Sequence, residues 1–245
     1  MIESKFSAST IEQLREFETT LLANTIEHID KTPAHQFYLS GEIQSVTTTL
    51  SPTVGIAVTC EIDSGTPEGA AQTDLWWEQL AAIEKQSLPV VWVVKTVGSR
   101  PEHECVIGDG MAKLLASVGC IGLVTDGRVR DVAGLMTVPF AVYSRGLCVH
   151  HTGLRFRSID CPVEIGGLTI HPGDLLHAGT EGVIRIPDTC ADRLAEAAVR
   201  MRAFEHEVHM AFRRTDLSLQ AKRDLVKEVI ATYGFGDCVA SPSKK

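Results

Sequence analysis

Two runs decide how this chain is read: Gly108-Asp109-Gly110-Met111-Ala112, then Gly119-Cys120-Ile121-Gly122-Leu123-Val124-Thr125-Asp126-Gly127-Arg128-Val129-Arg130-Asp131. Ile121 to Thr125 is a short apolar, β-branched stretch of the kind buried in a sheet. Asp126-Gly127 turns the chain at its end. Residues 105–118 read as the preceding helix, which Gly119 ends. Asp109 then falls in the first helical turn, where the positive dipole end favours a carboxylate. Lys113, four residues on, stands in the favourable acid-then-base order. The unit sets two acids, Asp109 and Asp131, and one guanidinium, Arg130, on consecutive connections of a strand–helix pattern. A hard divalent cation takes carboxylate oxygens and water. A small oxo acid takes the planar, permanently charged fork of arginine. The sequence offers both within 24 residues, 108–131.

Outward from this unit, residues 53–62 and Pro89 to Val94 read as strands, and Asp74 to Lys85 as a helix carrying Trp76, Trp77, Leu80 and Ile83. Val132 to Met136 is a short helical piece and Pro139 to Tyr143 another strand. This alternation calls for a partly parallel sheet. Ser64-Gly65-Thr66-Pro67 and 97–102 read as loops. Val163 to Ile170, with Gly166-Gly167 at its centre, carries a hairpin signature. Short strands at 175–177 and 183–186 follow. Residues 9–30 read as one helix capped by Ser9 or Thr10. Two more helices are expected, one opened by Pro187-Asp188 and one at about 217–233. The organisation expected is an α/β domain over 1–190 and a helical extension with a free tail over 191–245, packed on the same domain or on a neighbouring subunit.

Composition narrows the function class. Hydrophobic residues make up 44% of the 245, enough for a packed core. A formal charge of −8 argues against a nucleic-acid binder. No apolar run is long enough to span a bilayer, and no leader pattern is visible. Seven cysteines without a C-x-x-C indicate neither a disulfide framework nor a zinc ribbon. A cytoplasmic location follows as the expectation. Gly108-Asp109-Gly110 lacks the third glycine of a dinucleotide loop and the G-K-[ST] of a P-loop. His206-Glu207-Val208-His209 spaces its histidines three apart, unlike a zinc protease helix. Lys95, at a strand end, is the best Schiff-base candidate, with ion pairing as its alternative. His150-His151 are neighbours and would diverge on a strand; His151 and His177 stand as pocket or core histidines, and Arg145 as a source of positive potential or an ion-pair partner.

The two quoted runs resemble the RraA-like fold, which includes the 4-hydroxy-4-methyl-2-oxoglutarate / 4-carboxy-4-hydroxy-2-oxoadipate aldolases. Val54-Gly55-Ile56-Ala57-Val58-Thr59, Val97-Gly98-Ser99-Arg100-Pro101 and Pro162 to Asp174 extend the likeness over about residues 50–190. The resemblance implies a swivelling β/β/α fold with a mixed-sheet core, assembled as a homotrimer or hexamer with sites between subunits. It implies a Mg2+- or Mn2+-dependent lyase that releases pyruvate from a small 2-oxo acid, by aldol cleavage or oxaloacetate decarboxylation. Carried over, Arg130 would bind the substrate carboxylate and act catalytically, and Asp131 would hold the metal. Asp109 would act through a water. Gly108, Gly110 and Met111 would meet the substrate anion with backbone groups. A glutamate from a neighbour's C-terminal region, Glu196, Glu205 or Glu207, would complete the site. The chain departs from the family pattern at Gly179-Thr180-Glu181-Gly182, one acid short, and around Asn24-Thr25. The rival reading is a non-catalytic binder that regulates an RNA-degrading enzyme. The family member with that role lacks the final Asp of R-D, which is present here as Asp131.

Overall fold

A computed structural model describes residues 5–47, 51–63, 73–151, 153 and 155–235. The loop expected at 64–67 and the tail lie outside the described residues. Two helices, α1 (Ala8–Leu14) and α2 (Thr19–Ile29), precede a short strand β1 (Gln44–Ser45) and the long strand β2 (Thr53–Ile62). Then come α3 (Thr73–Glu84), β3 (Val90–Thr96), β4 (Cys105–Ile107), α4 (Asp109–Ser117), β5 (Cys120–Thr125), β6 (Arg128–Val129), α5 (Val132–Leu135) and β7 (Ala141–Ser144). The remainder is β8 (Phe156–Ile159), β9 (Val163–Ile165), β10 (Leu168–Ile170), β11 (Leu175–Gly179), β12 (Gly182–Arg185), α6 (Ala191–Arg213) and α7 (Leu219–Tyr233).

The main sheet runs in the order β1-β7-β5-β3-β2-β11-β12, and β8 also pairs with β2. Strands β2, β3, β5 and β7 are mutually parallel, while β1, β8, β11 and β12 join antiparallel. The sheet is therefore mixed, as expected. Its parallel strands are apolar on both faces because each face is covered. Ile56, Val58, Trp92 and Leu123 pack under α3 and α4, and Ala57, Val91, Val93 and Val124 pack against the β9–β10 hairpin. In that hairpin Gly166 and Gly167 have φ +55 and +78, the left-handed pair that a two-residue turn of this hand requires. A third apolar cluster joins α1 and α2 to α6 and α7.

Two expectations need correction. The helix expected over 9–30 is two helices, capped by the Ser7 hydroxyl rather than Ser9 or Thr10. Phe17, in the break, is buried, and the His177 ring bonds both lips of it, through Leu14 O and Thr19 Oγ1. Residues 105–107 are not the start of a helix but the strand β4, paired in parallel with β6. Gly108, extended at φ −125 and ψ −175, then releases the chain into α4.

Candidate functional site

The small β4–β6 pair builds the site. It draws Cys105 beside Arg128 and Ile107 beside Val129, with the Arg130 N–H donating to Ile107 O at 3.1 Å. Helix α4 leaves β4 at once, and α5 leaves β6 at once. Asp109 opens the first, and Asp131 immediately precedes the second. Two helix starts thus converge on one cavity of about 370 Å³. Gly108, Asp109, Gly110, Met111, Arg130 and Asp131 all line it, so the six residues given substrate, metal or catalytic roles fall on one concavity.

Local geometry shows how the acids are aimed. Asp131 is one of two described non-glycine residues with positive φ, at 59° and ψ 41°. Its side chain makes no capping bond to α5. Instead the carboxylate turns toward Gly108, where an added Cβ would lie 2.5 Å from Asp131 Oδ2. The left-handed conformation costs free energy at a non-glycine residue, and what it achieves here is an acid facing the cavity. Arg130 Nε stands 3.4 Å from Asp131 Oδ2, too long for a strong hydrogen bond, so the carboxylate keeps acceptor capacity. Asp109 Oδ2 accepts from Lys113 Nζ at 2.6 Å, and this bond holds the Asp109 carboxyl below the usual carboxylate range. The first intrahelical bond of α4 runs from Ala112 N to Gly108 O at 3.2 Å. The amides ahead of Ala112 therefore lack helical acceptors, as at any helix start.

One wall was not anticipated from sequence. Cys105, Val106 and Ile107 form one side. Burial, and then contact with Cys148, push the Cys105 thiol up to about 12, so it is neutral at ordinary pH. The β-branched Val106-Ile107 pair was the available signal for a strand there. His151, which the sequence left as a pocket or core histidine, also lines the cavity. It does not diverge from His150, because the segment is not a strand: the two rings stack at 4.9 Å and 13°.

Other charged candidates lie outside the lining. Lys95 Nζ pairs at 2.5 Å with the buried Asp126, which also accepts from Thr96 N at 2.8 Å and Thr96 Oγ1 at 3.0 Å. That knot fixes the turn ahead of β6. Arg145 pairs with Glu42 at 2.6 Å. His177 is buried, and Trp76 stacks in the core against Trp92 and Phe156 while Trp77 is exposed. Glu205 accepts from Asn24 and Glu207 from Tyr233, and Glu196 is exposed on α6. A buried carboxylate also went unanticipated: Asp63, just past β2, accepts from Arg155 and from the half-exposed Arg157, each at 2.5 Å.

The profile of the RraA-like family (Aldolase/RraA) matches residues 22–185, two thirds of the sequence. The chain belongs to the RraA-like family. Among curated relatives of this RraA-like chain is the protein named "Putative 4-hydroxy-4-methyl-2-oxoglutarate aldolase" from Halalkalibacterium halodurans. It is 26% identical over 119 residues, covering 47% of this chain and 56% of that protein. Protein DlpA of Legionella pneumophila is 25% identical over 138 residues, 55% of this chain but 22% of its own length. The alignments thus span little more than half of the curated relatives at most. Among solved structures, an uncharacterized protein from Pseudomonas syringae pv. tomato superposes with TM-score 0.65 at 21% identity, over 90% of this chain and all of that one. Streptomyces coelicolor RraAS2, described as an unusual member of the RNase ES inhibitor RraA family, gives 0.63 at 22% identity, over 87% and 99%. These two likenesses establish the RraA-like fold. Among the described residues no helix is long and apolar enough to cross a membrane.

Proposed function

We propose that this RraA-like protein is a divalent-metal-dependent lyase that cleaves a carbon–carbon bond of a small 2-oxo acid and releases pyruvate. The observation that supports it is the convergence of Arg130, Asp131 and Asp109 on one cavity. The donor set suits a hard cation. It is carboxylate oxygen, with one acid turned into the cavity over a glycine that leaves no Cβ in its way. Among the described residues there is no cluster of three or more His, Cys, Asp or Glu that could hold a metal. Mg2+ or Mn2+ bound here would be held through one or two carboxylates and would keep several waters. Asp131 would hold the ion directly, and Asp109 one of its waters.

When bound, the ion supplies a Lewis acid that accepts electron density from the broken bond. The chain supplies the rest. Arg130 binds the carboxylate of the oxo acid through its planar fork and keeps a fixed positive charge beside the oxygen where charge grows. The free amides at the α4 start, Gly110 and Met111, favour the anion's other oxygens. Asp109, held ionised by Lys113, orients a water that carries the proton. Val106, Ile107 and Met111 give the cavity an apolar side that limits competing water. The same residues serve aldol cleavage and β-decarboxylation, since both leave pyruvate as its enolate. We infer that the protein acts as a homotrimer or hexamer in the cytoplasm, with a C-terminal glutamate of a neighbour, Glu196, Glu205 or Glu207, at the site.

The test is pyruvate release from oxaloacetate and from 4-hydroxy-4-methyl-2-oxoglutarate, with Mg2+ or Mn2+ and with chelator. Metal-dependent turnover lost in Asp131→Asn is the expected result. No turnover on either substrate, together with retention of an RNA-degrading enzyme on the immobilised protein, would replace this reading with the regulatory one.

A further inference from the structure

Gly134 lies inside α5, three residues after Asp131. Its backbone is not among the positive-φ glycines, so conformation does not call for glycine there. Space does. A Cβ on Gly134 would lie 2.6 Å from Asp109 Cβ, 2.7 Å from its Oδ2 and 2.8 Å from its Cγ. Real carbon contacts do not come this close, and Asp109 Cβ is fixed to the α4 backbone, so it cannot swing aside as the tip of a long side chain could. The arrangement is reciprocal, because Asp131 Oδ2 occupies the space that a Cβ on Gly108 would take. Each acid rests against a glycine of the other helix start. The two glycines therefore set how closely the starts of α4 and α5 approach.

We propose that Gly134 is a positioning residue that brings α5 close enough to α4 for Asp109 and Asp131 to share one small hydrated cation. The inference rests on the lyase reading of the same cavity. Mg2+ and Mn2+ demand near-octahedral geometry at short range, whereas Ca2+ accepts longer and more varied distances. A methyl group at 134 forces the acids apart, so it penalises the small ions more than the large one. Groups that hold a metal's water rather than the metal typically change affinity by about ten- to hundredfold when disturbed.

The experiment measures Mn2+ binding by the loss of the free-ion paramagnetic resonance signal, with Mg2+ and Ca2+ as competitors, on the full chain. Gly134→Ala should weaken Mn2+ about tenfold or more and move the Mn2+/Ca2+ affinity ratio toward Ca2+. Gly41→Ala, whose Cβ meets nothing within 4 Å, should change neither. In an Asp109→Gly background, which removes the clashing atoms, adding Gly134→Ala should cost no more than twofold. Equal losses for all three ions, an undiminished loss in that background, or wild-type binding by Gly134→Ala would overturn the proposal. If the wild-type protein binds no Mn2+, the lyase reading fails on its own. Crystal structures of Gly134→Ala and the wild type then decide the positioning claim: a displaced Asp109 supports it, and superposable acids overturn it.

Discussion

Acid should destabilise this protein before its carboxylates begin to protonate, because His177 is folded in as the neutral imidazole. The ring is fully buried, with Nδ1 2.9 Å from the Thr19 hydroxyl and Nε2 3.2 Å from Leu14 O. A carbonyl can only accept, so Nε2 carries the proton and Nδ1 accepts from Thr19. Burial, the largest cause, lowers the pKa from 6.5 to about 4. Above the unfolded value the ring is neutral in both states. Between the two values only the unfolded chain takes up a proton, so stability falls as pH falls from about 6.5 and levels off below about 4. Linkage then gives a loss of about 2 kcal/mol between pH 8 and pH 5, rising to about 3 kcal/mol at the lower limit. His28 is also lowered by burial and acts in the same direction, so the comparison must be differential. Urea midpoints at several pH values, for wild type and His177→Gln, supply it. The glutamine variant should be less stable at pH 8 but should lose about 2 kcal/mol less on going to pH 5. Parallel pH profiles for the two proteins would refute the argument.

Arg130→Lys keeps the charge but not the planar fork, so pyruvate release should fall about a hundredfold in kcat/KM in the oxaloacetate assay. Asp63→Ala removes a buried carboxylate that accepts from the largely buried Arg155 and the half-exposed Arg157; urea denaturation should show a loss of about 1–3 kcal/mol. Trp92→Phe removes the indole N–H that donates to Gln79 Oε1 at 3.1 Å, in a side chain itself bonded to Thr59 O. Thermal unfolding should report about 1–3 kcal/mol of destabilisation from the stranded carbonyl and the lost ring volume.

The parts of this fold that could be read from sequence are those whose local pattern agrees with their tertiary role. Val54 to Val58 and Val90 to Val94 are apolar runs because both faces of the sheet are covered. The Gly166-Gly167 turn announces itself because few other residue pairs adopt its backbone. What escaped depends on distant partners. Residues 105–107 become a strand only because β6, more than twenty residues later, offers main-chain bonds. The break between α1 and α2 is held by His177, more than 150 residues away. The same division applies to the cavity. Arg130, Asp131 and Asp109 stood out as charged residues beside glycines, whereas Gly134 shows its importance only once Asp109 is seen against it.

The joining of α1 and α2 to α6 carries a cost during synthesis. Arg202 bonds Glu16 O and the Glu18 carboxylate across as many as 186 residues of sequence, and Leu14, Leu22 and Ile26 share their core with Leu194 and Met201. At ribosomal speeds of about 5–20 residues per second, the first helices wait roughly ten to forty seconds for that partner. Through that interval an oily face lacks the α6 part of its native cover. A nascent chain of this design should engage chaperones early, and slower translation should raise its yield only if they are abundant.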